Sequence, residues 1–249
     1  MMRFLPGIFM LLVFNLLYNQ AEGQEEIVTD RPDQTESSNT VPHHAFQLET
    51  GGLKLFDKKG DAAWGGLLLR YGLFKGFELR LGGAYGSYKE DGGETIGFSP
   101  VEIGFKSYIT GQKGLLPEIS FIGALLLPGI AASDLDVENP VPVFKFAFSN
   151  EISPVFSIGY NLGGMWNGAG ASPEWFYSLV FGVAITDKLG CYFEPYGFFA
   201  KGALPISMVN GGFTYKITPL MQVDISGGFG LNNHSPDGYV SAGFSFRTK

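Results

Sequence analysis

The stretch VEIGFKSYI, residues 101–109, alternates apolar residues with small or polar residues. The apolar positions are Val101, Ile103, Phe105 and Ile109. The opposite positions are Glu102, Gly104, Lys106 and Tyr108. Neighbouring side chains of a β-strand point to opposite faces, so this pattern predicts a strand with one apolar face.

The same alternation recurs along most of the chain, in segments separated by Gly, Pro, Asn and Asp clusters. It predicts about twelve strands, near residues 45–55, 62–72, 76–88, 97–110, 115–127, 141–149, 154–166, 174–186, 188–200, 205–216, 219–231 and 238–247. An even strand number is typical of single-chain bacterial membrane barrels, and each segment is long enough to cross a bilayer. The sequence therefore predicts an all-β, transmembrane, antiparallel up-and-down β-barrel.

The connections between these segments fall into two classes. Tight connections are expected at residues 73–75, 111–114, 150–153, 187 and 217–218. Longer or more polar ones are expected at residues 56–61, 89–96, 128–140, 167–173 and 232–237. Such barrels have short periplasmic turns and longer external loops, so both termini are expected in the periplasm.

A secreted β-sandwich or a lipocalin-like barrel is the soluble alternative. A soluble sheet exposes a charged face, whereas the second face here is mostly Gly, Ser, Asn, Ala and Tyr. The chain has 36 Gly, 23 Phe and 11 Tyr but only 16% charged residues, which favours the membrane barrel. Aromatic residues near strand ends suggest interfacial girdles: Trp64, Tyr71, Tyr85, Trp166, Trp175 and Tyr215.

Residues 1–23 have the features of a cleaved signal peptide. Arg3 precedes an apolar run at residues 8–17, and Ala21-Glu22-Gly23 places small residues at a cleavage site. An uncleaved anchor is the alternative, although the run is shorter than the roughly 20 residues that a membrane helix needs. Residues 24–44 form a polar lead-in, either a plug or a periplasmic tail, and residues 45–249 form the barrel.

The lead-in carries a motif, Thr29 to Ser37, that contains Asp30, Arg31, Pro32, Asp33, Gln34, Thr35 and Glu36. With Val41-Pro42, Phe46 to Glu49, and the later blocks at residues 70–73 and 77–80, it resembles the opening of a bacterial outer-membrane transporter family. That family is of the phenol-degradation meta-pathway type. The resemblance covers the mature chain and implies an outer-membrane β-barrel with a transport role, but not a phenolic substrate.

Strand parity places a set of charged and tyrosine side chains on the lumen face. They are Glu49, Arg70, Glu78, Arg80, Glu102, Lys106, Tyr108, Glu118, Lys145, Tyr192, Glu194, Tyr196, Lys216 and Asp224. Folding about Phe74 sets Arg70 opposite Glu78, and folding about Gln112 sets Lys106 opposite Glu118. These charges form either a structural ion-pair network or a constriction that screens solutes, and the two roles are compatible.

The lumen of a twelve-stranded barrel lies between a filled interior and an open channel. Glu102, Glu194 and Asp224 lie nearest mid-depth and predict a weak preference for cations. The lead-in either folds back into this space or stays outside it.

Several other functions are disfavoured. The net charge of −7 without a basic stripe argues against nucleic acid. His43, His44 and His234 form no recognisable catalytic or metal-binding set, and Cys191 shares the parity of Phe193, as a lipid-facing residue would. We expect no enzyme activity, no metal and no cofactor.

The expected partners are outer-membrane lipid, the barrel-assembly machinery and small solutes. The leading hypothesis is passive transport through a narrow channel. The alternative is a non-transporting structural or surface-binding barrel.

Overall fold

The computed structural model describes residues 26–58, 60–90, 93–132, 135–166 and 172–249, so the signal-peptide prediction lies outside the described residues. The strands are β1 (Phe46–Phe56), β2 (Ala62–Phe74), β3 (Phe77–Glu90), β4 (Gly93–Phe98), β5 (Val101–Thr110), β6 (Glu118–Leu127), β7 (Val141–Ser153), β8 (Phe156–Met165), β9 (Glu174–Ala184), β10 (Leu189–Ala200), β11 (Ile206–Thr218), β12 (Met221–Gly230) and β13 (Gly238–Arg247). In this part of the chain, no helix is both long and apolar enough to cross a membrane.

Except for β4 and β5, which both pair with β3, each strand pairs antiparallel with its neighbours along the chain, and the sheet closes on itself. β1 pairs with β2 on one side and with β13 on the other, from Gln47 opposite Arg247 to Phe56 opposite Gly238. Closure leaves no free edge along the ring, which satisfies the backbone groups without water. The predicted all-β barrel is confirmed.

The ring contains twelve strands because β4 and β5 together occupy one position beside β3. Residues 77–82 of β3 pair with β5, and residues 85–90 of β3 pair with β4. Between them, Pro100 has no N–H to donate, and Ser99 instead accepts a hydrogen bond from the Ala84 amide through its hydroxyl. One extra residue is accommodated there as a bulge.

The predicted loop at residues 89–96 is one point of difference. β3 continues to Glu90 and β4 begins at Gly93, so most of this loop is a paired hairpin. The polar residues Lys89 and Glu94 lie opposite each other and form an ion pair at 3.7 Å. Polar composition indicated a loop, but a strand that extends beyond the bilayer can be polar on both faces.

The outer face is apolar over a continuous belt. Its exposed side chains include Leu67, Leu69, Leu79, Leu81, Ile103, Phe193, Phe213, Ile225, Phe229 and Val240. Apolar exposure on this scale is expected for a surface that contacts hydrocarbon, and not for one that contacts water.

The predicted girdle aromatics divide between the two faces. Tyr85, Trp166, Trp175 and Tyr215 are exposed on the outer face, and the Tyr71 ring lies 4.4 Å from that of Phe46. Trp64 is a wrong assignment, because it shares the parity of the buried Arg70 and lies on the inner face. A Cβ on the opposite residue Gly86 would come within 2.7 Å of the Trp64 ring.

The inner face changes character along the barrel. One half carries the buried charges, such as Glu49, Arg70 and Lys106. The other half carries Tyr196, Met208 and Tyr239, packed against Leu53, Leu55, Phe198 and Ile206. The two halves meet near the middle of β10, where Glu194 and Tyr196 are successive inward positions.

Candidate functional site

The lead-in segment, residues 26–44, lies against the charged half of the inner wall. Several of its side chains are buried there, among them Ile27, Asp30, Thr35, Ser38 and Val41. At its start the Ile27 amide donates to the Pro219 carbonyl, and at its end the His44 amide donates to the Gly72 carbonyl. Between these points the segment bonds to side chains from most strands of the ring.

Carboxylates of the wall accept hydrogen bonds from the segment's backbone. Glu49 accepts from the Asp30 and Arg31 amides at 2.9 and 3.1 Å. Glu194 accepts from the Gln34 and Thr35 amides at 2.9 and 2.7 Å. A segment without secondary structure has unpaired amides, and these acids satisfy them in place of water.

Three further wall residues accept hydrogen bonds from the segment. Glu78 accepts from the Val41 amide at 2.7 Å, and the Asn161 side-chain carbonyl accepts from the Glu36 amide at 2.7 Å. Glu118 accepts from the Ser38 hydroxyl at 2.7 Å. The wall therefore holds the path of the backbone as well as particular side chains.

In the opposite sense, acids of the segment pair with cations of the wall. Asp30 contacts Arg80 at 2.7 Å, Lys106 at 2.8 Å and Arg70 at 3.3 Å. Glu36 contacts Arg80 at 2.6 Å and Lys145 at 2.5 Å. Arg70 and Arg80 are like charges on directly opposite positions, and Glu78 and Asp30 lie between them and offset their repulsion.

These surroundings shift the acidity of the segment's carboxyl groups. Burial alone would raise the pKa of Asp30, but the charges of Arg70, Lys106 and Arg80 hold that pKa well below its ordinary value. At Glu36, burial also acts to raise the pKa, but the charges of Arg80 and Lys145 outweigh it and lower the pKa to about 2. At Asp33, burial and the Glu194 carboxylate both act to raise the pKa, and it lies well above its ordinary value.

Arg31 occupies a place on the wall that only glycines allow. Its guanidinium donates to Asp224 at 3.0 Å and to the Ser241 hydroxyl at 3.1 Å. A Cβ on Gly51 would lie 2.5 Å from the guanidinium carbon, and one on Gly243 would lie 2.3 Å from Nε. The inward glycines of β1 and β13 thus make room for this side chain.

The sequence-predicted site residues do not all meet in one place. The contacts with the segment bring together Glu49, Arg70, Glu78, Arg80, Lys106, Glu118, Lys145, Glu194 and Asp224. Lys216 pairs with Glu26 at one end of the segment. Tyr192 and Tyr196 lie on the inner wall on either side of Glu194.

Glu102 and Tyr108 lie apart from these contacts. Glu102 lines a cavity beside Gln34. Tyr108 is 41% exposed at the end of β5, where its ring approaches Gly76 and its hydroxyl approaches Gly111.

The two predicted hairpin registers are wrong. Arg70 lies opposite Arg80, and Glu78 lies opposite Gly72, because the β2–β3 turn is centred on Lys75 and Gly76 and not on Phe74. The Arg70–Glu78 ion pair nevertheless forms across the diagonal at 2.8 Å. Lys106 lies opposite Ile122, because the β5–β6 turn is centred nearer Gly114, where Lys113 bridges to Leu116, than on Gln112.

Sequence reasoning from charge missed the neutral polar residues of the wall. The Ser178 and Thr35 hydroxyls are hydrogen-bonded at 2.7 Å, Asn210 donates to Glu194 at 2.6 Å, and Gln222 donates to the Thr29 hydroxyl at 2.8 Å. Asn210 shares strand parity with Lys216, and Gln222 shares it with Asp224, and both charges were assigned inward. The same alternation that identified the charges would have identified them.

Two spaces inside the barrel lie on different sides of the segment. A space of about 900 Å³ is lined by Arg31, Pro32 and Asp33 and by the ends of β8–β11, including Ser157 and Tyr192. A cavity of about 140 Å³ is lined by Gln34 and by residues of the apolar half. The segment therefore separates the two where Asp33 and Gln34 follow each other.

The histidines and the cysteine lie outside these spaces or at their margins. The His43 and His44 rings stack at 3.6 Å at the exposed end of the segment, and His234 belongs to an exposed turn. The free Cys191 shares its face with the exposed Phe193. Within the described residues, no three His, Cys, Asp or Glu side chains are placed to hold a metal ion.

The family model described as "Putative MetA-pathway of phenol degradation" matches residues 29–248, from the segment's motif to the last strand. The chain belongs to this family. No curated protein sequence matches the chain.

Solved structures with a similar fold include outer-membrane channels and porins. An outer-membrane channel from Pseudomonas putida F1 superposes with a TM-score of 0.66 at 11% identity, covering 92% of this chain and 100% of that one. The NanC porin gives 0.58 at 9% identity, covering 80% and 98%. The CymD monoaromatic hydrocarbon channel gives 0.50 at 8% identity, covering 84% and 89%. At these identities the likeness establishes the fold, which is a barrel of the outer-membrane type.

Proposed function

We propose that this chain is an outer-membrane transporter for small solutes, and that the lead-in segment is a plug that must be displaced for solutes to pass. The observation that carries the proposal is the separation of the two interior spaces by the segment. Passage between them requires the segment to move, because it bonds to the wall from β1 to β12.

The proposal places the turns and both termini in the periplasm. The wider space is bordered by the β7–β8 turn at Pro154 and the β9–β10 turn at Asp187, which belong to the short class. Short turns face the periplasm in barrels of this type. The barrel-assembly machinery and outer-membrane lipid are then its partners during insertion and afterwards.

Ions and solutes would take a route along the charged wall. Glu194 and Asp224 are engaged by the segment, whereas Glu102 faces open space. When the segment leaves, the first two acids are exposed to the pathway. The expected weak preference for cations therefore belongs to the open state.

A tether between the segment and the wall tests the plug. The Thr35 and Ser178 hydroxyls lie 2.7 Å apart, so a Thr35→Cys, Ser178→Cys pair in a Cys191→Ser background can form a disulfide. We expect oxidation to hold solute permeation into proteoliposomes at its minimum and reduction to restore it. Thr35→Cys alone, in the same background, is the matched control.

Deletion of residues 25–41 is a second test of whether the segment blocks the pathway. Conductance in planar bilayers is expected to rise severalfold, since the space that the segment fills becomes available to ions. Unchanged conductance in both the deletion and the reduced tether would contradict the plug. A barrel that passes no solute in any of these states would support the structural alternative.

A further inference from the structure

The cavity of about 140 Å³ beyond the segment combines one charged group with an apolar wall. Its floor is Gln34 and its sides include Leu126, Val143, Phe176, Tyr196 and Phe198. A cavity of this size holds a group such as benzene, for which about 150 Å³ suffices. Its polar side is formed by Glu102, Lys145 and Ser178.

Glu102 differs from other acids of the wall. Glu49 and Glu78 are saturated by Arg70 and by backbone amides of the segment. Glu102 makes no hydrogen bond and no ion pair within the part of the chain that the structure describes, and it borders the cavity. A half-buried carboxylate without a partner is costly unless something in the cavity donates to it.

The nearby cation does not provide that partner. Lys145 gives its ammonium group to Glu36 at 2.5 Å, and the same group lies 5.0 Å from the centre of the Phe176 ring. Arg80 is likewise engaged by Glu36, Asp30 and Glu78. Of the two charged groups that line the cavity, Glu102 is therefore the one without an ion-pair partner among the described residues.

We propose that this cavity is a binding site for small apolar amines, with Glu102 pairing with the ammonium group and the ring-lined wall receiving the apolar part. Aromatic faces beside a carboxylate favour an organic cation over a neutral solute of the same shape. A carboxylate ligand would be repelled by Glu102 and would share Lys145 with Glu36. This site deepens the proposed function, on which it rests, by naming a substrate class.

Three fluorinated probes of matched size test the proposal: 4-fluorobenzylamine, 4-fluorobenzyl alcohol and 4-fluorobenzoate. Their affinities are measured by fluorine NMR on the full chain in lipid nanodiscs, with empty nanodiscs as the blank. We expect the amine to bind about tenfold more tightly than the alcohol, as a charge-assisted hydrogen bond allows, and the benzoate to bind most weakly.

Variants at Glu102 then identify the group responsible. Glu102→Gln is expected to reduce amine affinity to that of the alcohol and to leave the alcohol unchanged, while Glu102→Asp keeps a preference for the amine. Glu94→Gln removes an exposed charge on β4 and serves as the control. Benzoate binding as tight as that of the amine, or an amine affinity unchanged in Glu102→Gln, would overturn the proposal.

The binding result is independent of the transport result. Amine selectivity in nanodiscs needs no displacement of the segment, whereas the tether experiment measures only permeation. Selective amine binding without permeation in any state would support the binding site and contradict the transport function. Permeation without amine selectivity would do the reverse.

Discussion

Asp30 joins three cations that come from β2, β3 and β5. Its contacts with Arg70, Arg80 and Lys106 are buried, and its other carboxylate bonds go to the Ser37 amide and hydroxyl of the segment itself. Removing one member of a buried ion network leaves the others uncompensated, which costs more than an exposed pair would.

We therefore expect Asp30→Asn to loosen the segment by about 3 kcal/mol, which corresponds to roughly a hundredfold faster hydrogen exchange. The measurement is mass-spectrometric exchange of the amides from Asp30 to Val41, which the wall now protects. Asp33→Asn is the matched comparison. It removes a carboxyl that burial and Glu194 disfavour as an anion, so it should slow the same exchange. If both variants exchange like the wild type, the charges do not hold the segment.

The identities of the wall charges follow from strand parity, but their partners do not. The alternation of apolar and polar residues predicted that Glu49, Arg70, Arg80 and Glu194 face inward, and all four are buried in the structure. Their main partners lie in a segment without periodicity, at separations from 18 to 160 residues. Pairings of that kind depend on where the segment runs in three dimensions, which local pattern does not encode.

At the scale of elements, the strands were predictable and their registers were not. A barrel strand needs an apolar position at every second residue, so the pattern survives in sequence. The centre of a turn can move by one or two residues without changing which positions are apolar. The hairpin pairings were wrong because the turns lie near Gly76 and Gly114, beyond Phe74 and Gln112.

The segment as an element should respond to pH in two opposite ways. Asp33 has a raised pKa, so the docked segment favours its protonated form, and docking strengthens as the pH falls through that pKa. Glu36, lowered to about 2, and Asp30 favour the ionised forms. Their stabilisation is complete above the ordinary pKa of about 4.5 for Glu36, and it is lost as the pH falls from there toward 2.

Conductance in planar bilayers is accordingly expected to decrease as the pH falls through the raised pKa of Asp33 and to increase again at pH values below about 4.5. Asp33→Asn should remove the first change and keep the second. A conductance that only rises with acidification in the wild type would show that Asp33 does not oppose docking.

The whole molecule depends on which side of the sheet meets hydrocarbon. Leu81 lies on β3 midway between Phe77 and Tyr85, next to Leu69 of β2 and Ile103 of β5, and is 45% exposed on the outer face. Its neighbours on either side along β3, Arg80 and Gly82, face the interior. An arginine in place of Leu81 would put a charge in lipid. The adjacent Arg80 avoids this cost because it faces the interior and pairs with acids there.

We expect Leu81→Arg to lower the free energy of unfolding by about 2–4 kcal/mol, the cost of arginine near the bilayer midplane. The measurement is urea-dependent folding into lipid vesicles, followed by the shift in gel mobility of the heated protein. Leu81→Ala separates the loss of side-chain volume from the cost of the charge. The penalty should shrink in detergent micelles, where water reaches the belt more easily. Equal stabilities for the arginine and alanine variants in vesicles would mean that this face does not contact hydrocarbon. The assignment of the charged face to the barrel interior would then also be wrong.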